Sequence, residues 1–436
     1  MGSIVSMIKR QFLRLISPLK SAIEKKHRNF VASSALIQLL PLITAPIIAR
    51  LYSPYDFGIY AVYYAIAIII SSISTLAFHN AILTEKRHSS IKIATLISLM
   101  FSLIINSVFF LSVILIEDSY LSILLGDGII PYVGILPITT FLASSYLILY
   151  TLAIRCEYYS LLGSNKIILG ISTMSLQILI GIIGFGAAGF IAANIIGYSI
   201  AIFLMLRVSF NILFEASVFP KWSQTIFVLI KNRKLVYYTM PSNLINTLTT
   251  QVPELMINKL FGAEAVGQYS LANRMINMPL SFISSSVQDI FRQKSSRETQ
   301  DTGNCSSTFD SFLLLMICLS VLLVIPLVIV MPYIFPIIFG NKWQESGLLI
   351  QAMSFLIVTR FISSPLSYVW IVKRKEAHDL LWQTGLFAIS IISFVITAYS
   401  ELVDKLYFTL FLYSCLSSLW YIFCITVSFR FSRQRS

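Results

Sequence analysis

Apolar runs of membrane-crossing length recur along the whole chain, at roughly 30–50, 58–80, 94–116, 130–153, 167–184, 188–206, 236–258, 265–290, 309–332, 346–371, 380–398 and 406–428. A helix needs about 20 mostly apolar residues to cross the hydrocarbon of a bilayer. Backbone with unmade hydrogen bonds cannot face lipid, so each run is expected to be helical. The pattern predicts an all-α integral membrane protein of twelve transmembrane helices. The tightest connection falls within 167–206, where Gly184, Gly186 and Gly189 crowd one turn. Composition agrees with the pattern. The chain is 57% hydrophobic and 12% charged, whereas soluble domains carry about 25% charged residues.

Charge then orients the helices, because Lys and Arg are retained on the cytoplasmic side. With the N-terminus in the cytoplasm, 26 of the 32 Lys and Arg fall in the leader, the even-numbered connections and the tail. Only Arg50, Lys259, Lys342 and Lys405 fall on the other side, and Arg274 and Arg360 lie inside runs. Both termini are therefore placed in the cytoplasm. The leader carries Lys9, Arg10, Arg14, Lys20, Lys25, Lys26 and Arg28, and no small-residue cleavage site follows it, so the first run reads as a retained helix. The net charge of +13 is dispersed over alternate loops rather than gathered in one patch, which argues against nucleic acid as a partner. The five cysteines have no metal-ligand spacing and read as packing residues.

The organisation predicted is a cytoplasmic basic leader (1–29), an N-terminal six-helix bundle (30–206), a cytoplasmic or interfacial linker (207–235), a C-terminal six-helix bundle (236–428) and a cytoplasmic tail (429–436). The linker mixes Phe210, Phe214, Phe227 and Ile230 with Lys221, Lys231, Arg233 and Lys234, which suits a segment lying on the membrane surface. The two bundles look like copies. Leu51 to Tyr60 aligns without gaps on Leu260 to Tyr269, so Gly58 matches Gly267. Farther along, Ser144 to Leu162 aligns with Ser363 to Leu381, matching Arg155 with Arg374. Six helices per copy is an even number, so a pseudo-twofold axis along the membrane normal would relate the bundles.

No catalytic residues, metal ligands or cofactor sites are identified: there is no P-loop, HExxH or CxxC pattern, and the external loops are short. Two central helices are unusually polar. The seventh carries Asn243, Asn246, Thr247, Thr250, Gln251, Glu254 and Asn258; the eighth carries Ser270, Asn273, Arg274, Asn277, Ser281, Ser284, Ser285 and Gln288. Steps of three and four put most of these on one face of each helix. Such stripes either glue helices together or line a wet cavity. An arginine deep in a membrane helix costs about 3 kcal/mol on insertion scales unless it faces a cavity or a partner. Arg274 and Arg360 are thus candidate anion sites, since guanidinium grips phosphate through a planar fork. The alternative for Arg274 is a structural ion pair with Glu254. Glu254 is itself the candidate coupling-ion site.

At these residues the sequence resembles bacterial polysaccharide flippases of the Wzx type, in the superfamily that includes multidrug exporters and lipid II flippases. The matching stretches are Ala49 to Pro54 with Asp56-Phe57-Gly58, the run from Pro241 to Gln293, and Phe339 to Ser367. The resemblance implies V-shaped pairs of six-helix bundles in the bacterial inner membrane. They would carry undecaprenyl-diphosphate-linked oligosaccharide to the periplasmic leaflet for O-antigen or capsule synthesis, by ion-coupled alternating access. It further implies that Arg274 binds the diphosphate, with Arg50 the one comparable basic residue of the first two helices; Arg360, Asn273, Asn277, Asn243 and Gln251 are the further candidates for diphosphate and sugar. A polysaccharide polymerase and a chain-length regulator would be further partners. A cation-coupled multidrug-type exporter, and behind it a membrane polymerase or ligase, are the alternatives.

Overall fold

The computed structural model describes residues 40–214, 222–373, 375–399 and 405–434. The basic leader, the first ten positions of the first run (30–39), Arg374 and the last two residues lie outside the described residues. Those described form helices and turns, with no strand among them. In chain order the main helices are α1 (Leu40–Leu51), α2 (Pro54–Ser74), α3 (His79–Thr84), α4 (His88–Leu115), α5 (Leu136–Arg155), α6 (Tyr159–Ile183) and α7 (Gly186–Phe214). They continue as α8 (Trp222–Lys231), α9 (240–261), α10 (263–302), α11 (Ser306–Phe339), α12 (Ser354–Val372), α13 (Glu376–Ala398) and α14 (Lys405–Arg433).

Among the described residues nine helices are long and apolar enough to cross a membrane: α2, α4 to α7 and α11 to α14. The protein is therefore a multi-pass membrane protein. Three of the twelve expected spans are not in that set, and each has a physical reason. The first begins in residues outside the description and leaves only the short apolar α1. The seventh and eighth exist as α9 and α10, but their polar residues dilute the hydropathy. Several boundaries also differ. The second run breaks after Ser74, where Leu76 and Ala77 adopt positive φ, and resumes as α3. The tenth run, expected as one helix over 346–371, is two, Gln344–Ala352 and α12, parted at Met353.

Contacts group the chain into two compact units, within Asn29–Ser270 and Leu271–Ser436. This division falls later than the 207–235 linker where the sequence places it. The reason lies in residues 258–267, which pack on the first unit. Asn258 donates to the Leu125 carbonyl at 2.5 Å. A Cβ on Gly58 would sit 1.6 Å from the Ala263 carbonyl oxygen, and one on Gly267 would sit 1.8 Å from that of Pro54. In the repeat alignment Pro54 matches Ala263 and Gly58 matches Gly267, so the two contacts are reciprocal, as in an isologous interface. The copied motif packs against its own copy.

The first unit is tied by the residues that make the motif recognisable. Ser53 and Asp56 form a capping box at the start of α2. Asp56 reaches on to accept from the Ala187 amide at 3.1 Å, joining the starts of α2 and α7. The Tyr52 hydroxyl donates to the Gln177 carbonyl at 2.7 Å. Helix α4 shows the usual polarity of a lipid-facing span. It exposes Leu103, Ile104, Val108, Leu111 and Ile114 and buries Thr95, Ser98, Ser102 and Asn106. Asn106 donates to Ser74 at 3.2 Å, and Ser102 bonds Ser144 at 2.6 Å, so here a polar stripe is interhelical glue.

Each unit also holds one element that the alignment missed. A helix ends at Gly126 (φ 84°, ψ 151°) and a 3₁₀ turn over Asp127–Ile129 follows. In the other unit a helix ends at Gly340 (φ 99°, ψ 160°), followed by a 3₁₀ turn over Asn341–Trp343. Only glycine adopts such dihedrals readily, so the backbone repeats where side chains have diverged. The ends carrying the basic loops are closed in the same manner. Arg155 donates to the Glu85 carbonyl at 2.8 Å, and Lys373 to the Gly303 carbonyl at 3.0 Å.

Candidate substrate site

Helices α9 and α10 are joined by a single turn residue, Gly262, at φ 84° and ψ 175°. Their polarity is opposite to that of α4. On α10 the buried positions near the turn are mostly apolar, Val266, Tyr269, Leu271, Ala272, Met275, Ile276 and Leu280, with Gln268 buried among them. Asn273, Arg274 and Asn277 are half-buried, and Ser281 and Ser285, one and two turns on, are exposed. On α9, Asn243, Asn246 and Thr250 are exposed and Gln251 and Glu254 half-buried, whereas Val252, Pro253 and Ile257 are buried. A helix that buries its apolar side and opens its polar side is inverted for a lipid-facing span. Water or a polar ligand must satisfy the open face, because hydrocarbon cannot.

Arg274 lies about 16 Å along α10 from its start at 263. On a helix crossing a hydrocarbon core about 30 Å thick, that depth is close to the midplane. Asn277 donates to the Asn273 carbonyl at 2.8 Å, which fixes its amide against the preceding turn of α10. Within its own unit Arg274 has no acidic partner and no hydrogen bond among the described residues. Glu254, in the other unit, lies against the Ser270 hydroxyl. The structure thus brings Asn273, Arg274 and Asn277 together on one helix face, and groups Asn243, Gln251 and Glu254 along another. Arg360 is exposed on α12, close enough to Tyr413 and Tyr421 of α14 to interact with both rings' hydroxyls electrostatically. Arg50 is exposed at the end of α1.

Residues that sequence reasoning passed over gather where the Glu85-Lys86-Arg87 loop meets α8 in the first unit. Glu85 is buried, and its carboxylate accepts from Lys231 at 2.7 Å and from Asn232 at 2.8 Å. Burial alone would raise this carboxyl, but the hydrogen bonds and the Lys231 charge outweigh it and hold the pKa below the usual glutamate value. The signal available in the sequence was one carboxylate inside a Lys-Arg loop, Glu85-Lys86-Arg87, whose partner 146 residues away no spacing could reveal.

The described residues thus make an all-helical, multi-pass membrane protein in which α9 and α10 open polar faces. The chain is a member of the polysaccharide biosynthesis protein family, whose model matches residues 47–348. It is 22% identical over 217 residues to the teichuronic acid biosynthesis protein TuaB of Bacillus subtilis, covering 48% of this chain and 45% of that one. It is 26% identical over 116 residues to the amylovoran biosynthesis protein AmsL of Erwinia amylovora, covering 27% and 30%. The matches thus span less than half the length of these curated relatives. Among solved structures, an inward-facing multidrug resistance MATE family transporter of the MOP superfamily superposes with a TM-score of 0.70 at 12% identity, over 91% of this chain and 94% of that one. The lipid II flippase MurJ superposes with a TM-score of 0.68 at 14% identity, over 92% and 89%. At such identities the likeness is one of fold. The family model bears out the polysaccharide-biosynthesis family that the sequence resembles, and both superpositions bear out its fold.

Proposed function

We propose that this protein is a flippase that moves undecaprenyl-diphosphate-linked oligosaccharide from the cytoplasmic to the periplasmic leaflet for the synthesis of surface polysaccharide. The observation that carries the proposal is the inverted polarity of α9 and α10, with Arg274 half-buried on the open face and lacking an acidic partner in its own unit. A lipid diphosphate carries about two negative charges, and a cationic, hydrated surface can replace its hydration while the polyprenyl tail stays in lipid. Family membership and relatives named for teichuronic acid and amylovoran biosynthesis favour a glycan cargo. In this proposal Arg274 receives the diphosphate, flanked by Asn273 and Asn277. Arg360 and Arg50 add positive charge, Asn243 and Gln251 meet sugar hydroxyls, and Glu254 binds the coupling ion. Twelve spans, cytoplasmic termini and the bacterial inner membrane complete it, with a polymerase and a chain-length regulator as partners.

The test is Arg274→Ala, which should abolish surface polysaccharide while the protein stays in the membrane at near-normal level. Arg274→Lys should retain part of the activity, since an ammonium keeps the charge and loses the bidentate geometry. Had Arg274 served only to neutralise Glu254, removing both charges would restore function. An active Arg274→Ala/Glu254→Gln protein therefore ends the case for a substrate site there. A second reading, cation-coupled drug export, draws on the MATE-like fold and on Glu254. Proteoliposomes separate the two: the flippase moves lipid-linked oligosaccharide and leaves cationic dyes where they are.

A further inference from the structure

A cavity of about 670 Å³ lies at the cytoplasmic end of the first unit, between the segment Thr84–Ser90 and one face of α8. Lys86, Arg87, Ser89 and Ser90 line it from one side, Gln224 and Lys231 from the other. Its single carboxylate, Glu85, is already engaged by Lys231 and Asn232. That leaves Lys86 and Arg87 uncompensated, exposed, and without an ion pair among the described residues. The cavity also receives the N-terminus of α4, a 28-residue helix whose N-cap, Arg87, provides no side-chain hydrogen bond. Its first amides are therefore open donors at the positive end of a long helix dipole. The hydroxyls of Ser89 and Ser90 make no hydrogen bond among the described residues. Free amides, two hydroxyls and two cations around one cavity are the donor set of a phosphate site.

The depth of the cavity says which phosphate. Helix α8 lines the cavity with Gln224, Phe227, Val228 and Lys231, and buries Val228 in the core of the unit. On its outward face Trp222, Ile226 and Ile230, spaced by four, are exposed, Trp222 at 78%. An amphipathic helix of this kind lies in the membrane interface with its apolar stripe in the headgroup and acyl boundary. Its seat on the membrane sets the cavity at headgroup level, beside the start of a span.

We propose that this cavity is a binding site for the phosphate headgroup of an anionic phospholipid, held by Lys86, Arg87, Ser89, Ser90 and the open N-terminus of α4. It is separate from the polar faces of α9 and α10 and stands whether or not those carry a glycan lipid. The occupant is a bilayer lipid that docks the linker helix to the unit.

The test is lipid retention by native mass spectrometry on the full-length protein, after exchange into phosphatidylglycerol or into phosphatidylcholine with the same acyl chains. The expected result is preferential retention of phosphatidylglycerol, reduced about tenfold or more in Lys86→Gln/Arg87→Gln, since two basic residues act on one headgroup. Arg297→Gln, a basic change elsewhere, should retain the lipid as the parent does. Folding of the double variant is checked by its melting temperature in phosphatidylcholine, which should match the parent. Equal retention of the two lipids by the parent, or undiminished phosphatidylglycerol on the double variant, overturns the proposal. So does inorganic phosphate that displaces the lipid at millimolar concentration, since the occupant would then be a free anion.

Discussion

At Gly58 a methyl group decides whether two helices can meet. Its Cβ would lie 1.6 Å from the Ala263 carbonyl oxygen, and that oxygen belongs to backbone that cannot swing away. The reciprocal position, Gly267, is as tight against Pro54 at 1.8 Å. Gly58→Ala and Gly267→Ala should each lower the yield of monodisperse protein in detergent chromatography, at a cost at or beyond the usual 1–3 kcal/mol of overpacking. Gly134→Ala, with nothing within 4 Å of the added carbon, should leave the yield unchanged. Equal yields for all three would mean that the motif is not a crossing point. The sequence showed Gly58 and Gly267 as equivalent residues of a repeat. It could not show them in contact, because equivalence under an internal symmetry gives no information on distance from its axis.

At the scale of the element, the same blindness runs the other way for α9 and α10. Spacing by three and four placed Asn243, Asn246 and Thr250, or Arg274, Asn277 and Ser281, along one side of each helix. Period alone cannot tell a stripe turned outward from one turned inward. The stripe on α4 is as regular, yet Ser102 and Asn106 are buried glue. The linker helix was legible as a surface element from its mixed composition, but its latch was not. Glu85 holds Lys231 and Asn232 from the other side of α4 to α7 in the sequence. Because its folded-state pKa lies below the unfolded value, the carboxylate adds stability above about pH 4.3. That contribution is lost as pH falls through the lower, folded value. The charged groups around it are Lys231, Arg155, Lys86 and Arg87, with no second carboxylate among the cavity's lining. Hydrogen exchange of the Trp222–Lys231 amides, corrected for its intrinsic pH dependence, should show constant protection from pH 8 to about 5 and a decline below about 4. Glu85→Gln should show the reduced protection at every pH. Protection that follows pH in the Glu85→Gln protein as it does in the parent would assign the effect to another group.

For the whole molecule, hydropathy and charge give different amounts of information. Hydropathy finds nine spans among the described residues, since α9 and α10 gave up apolar residues for a polar face. Charge does not depend on those helices being apolar. If either one failed to cross, every later loop would change sides, and the basic loops after α10 and α12 would alternate wrongly with those before. The 26 to 4 division of Lys and Arg between the two sides therefore requires α9 and α10 to cross together or not at all. The glycine turns fall in with this: Gly126, Gly262 and Gly340 share one unusual region of φ and ψ. All three lie on the side that charge assigns to the periplasm, where short connections must reverse the chain. Reporter fusions at Arg87, Lys231, Arg292 and Lys375 should accordingly report cytoplasm, and fusions at Asp127, Gly262 and Trp343 should report periplasm. The fusion at Gly262 is the decisive one. A cytoplasmic signal there, with Lys231 and Arg292 unchanged, would mean that α9 and α10 form a re-entrant hairpin or lie outside the bilayer. Arg274 would then face the cytoplasm rather than the membrane interior, and a diphosphate held by it would not have begun to cross.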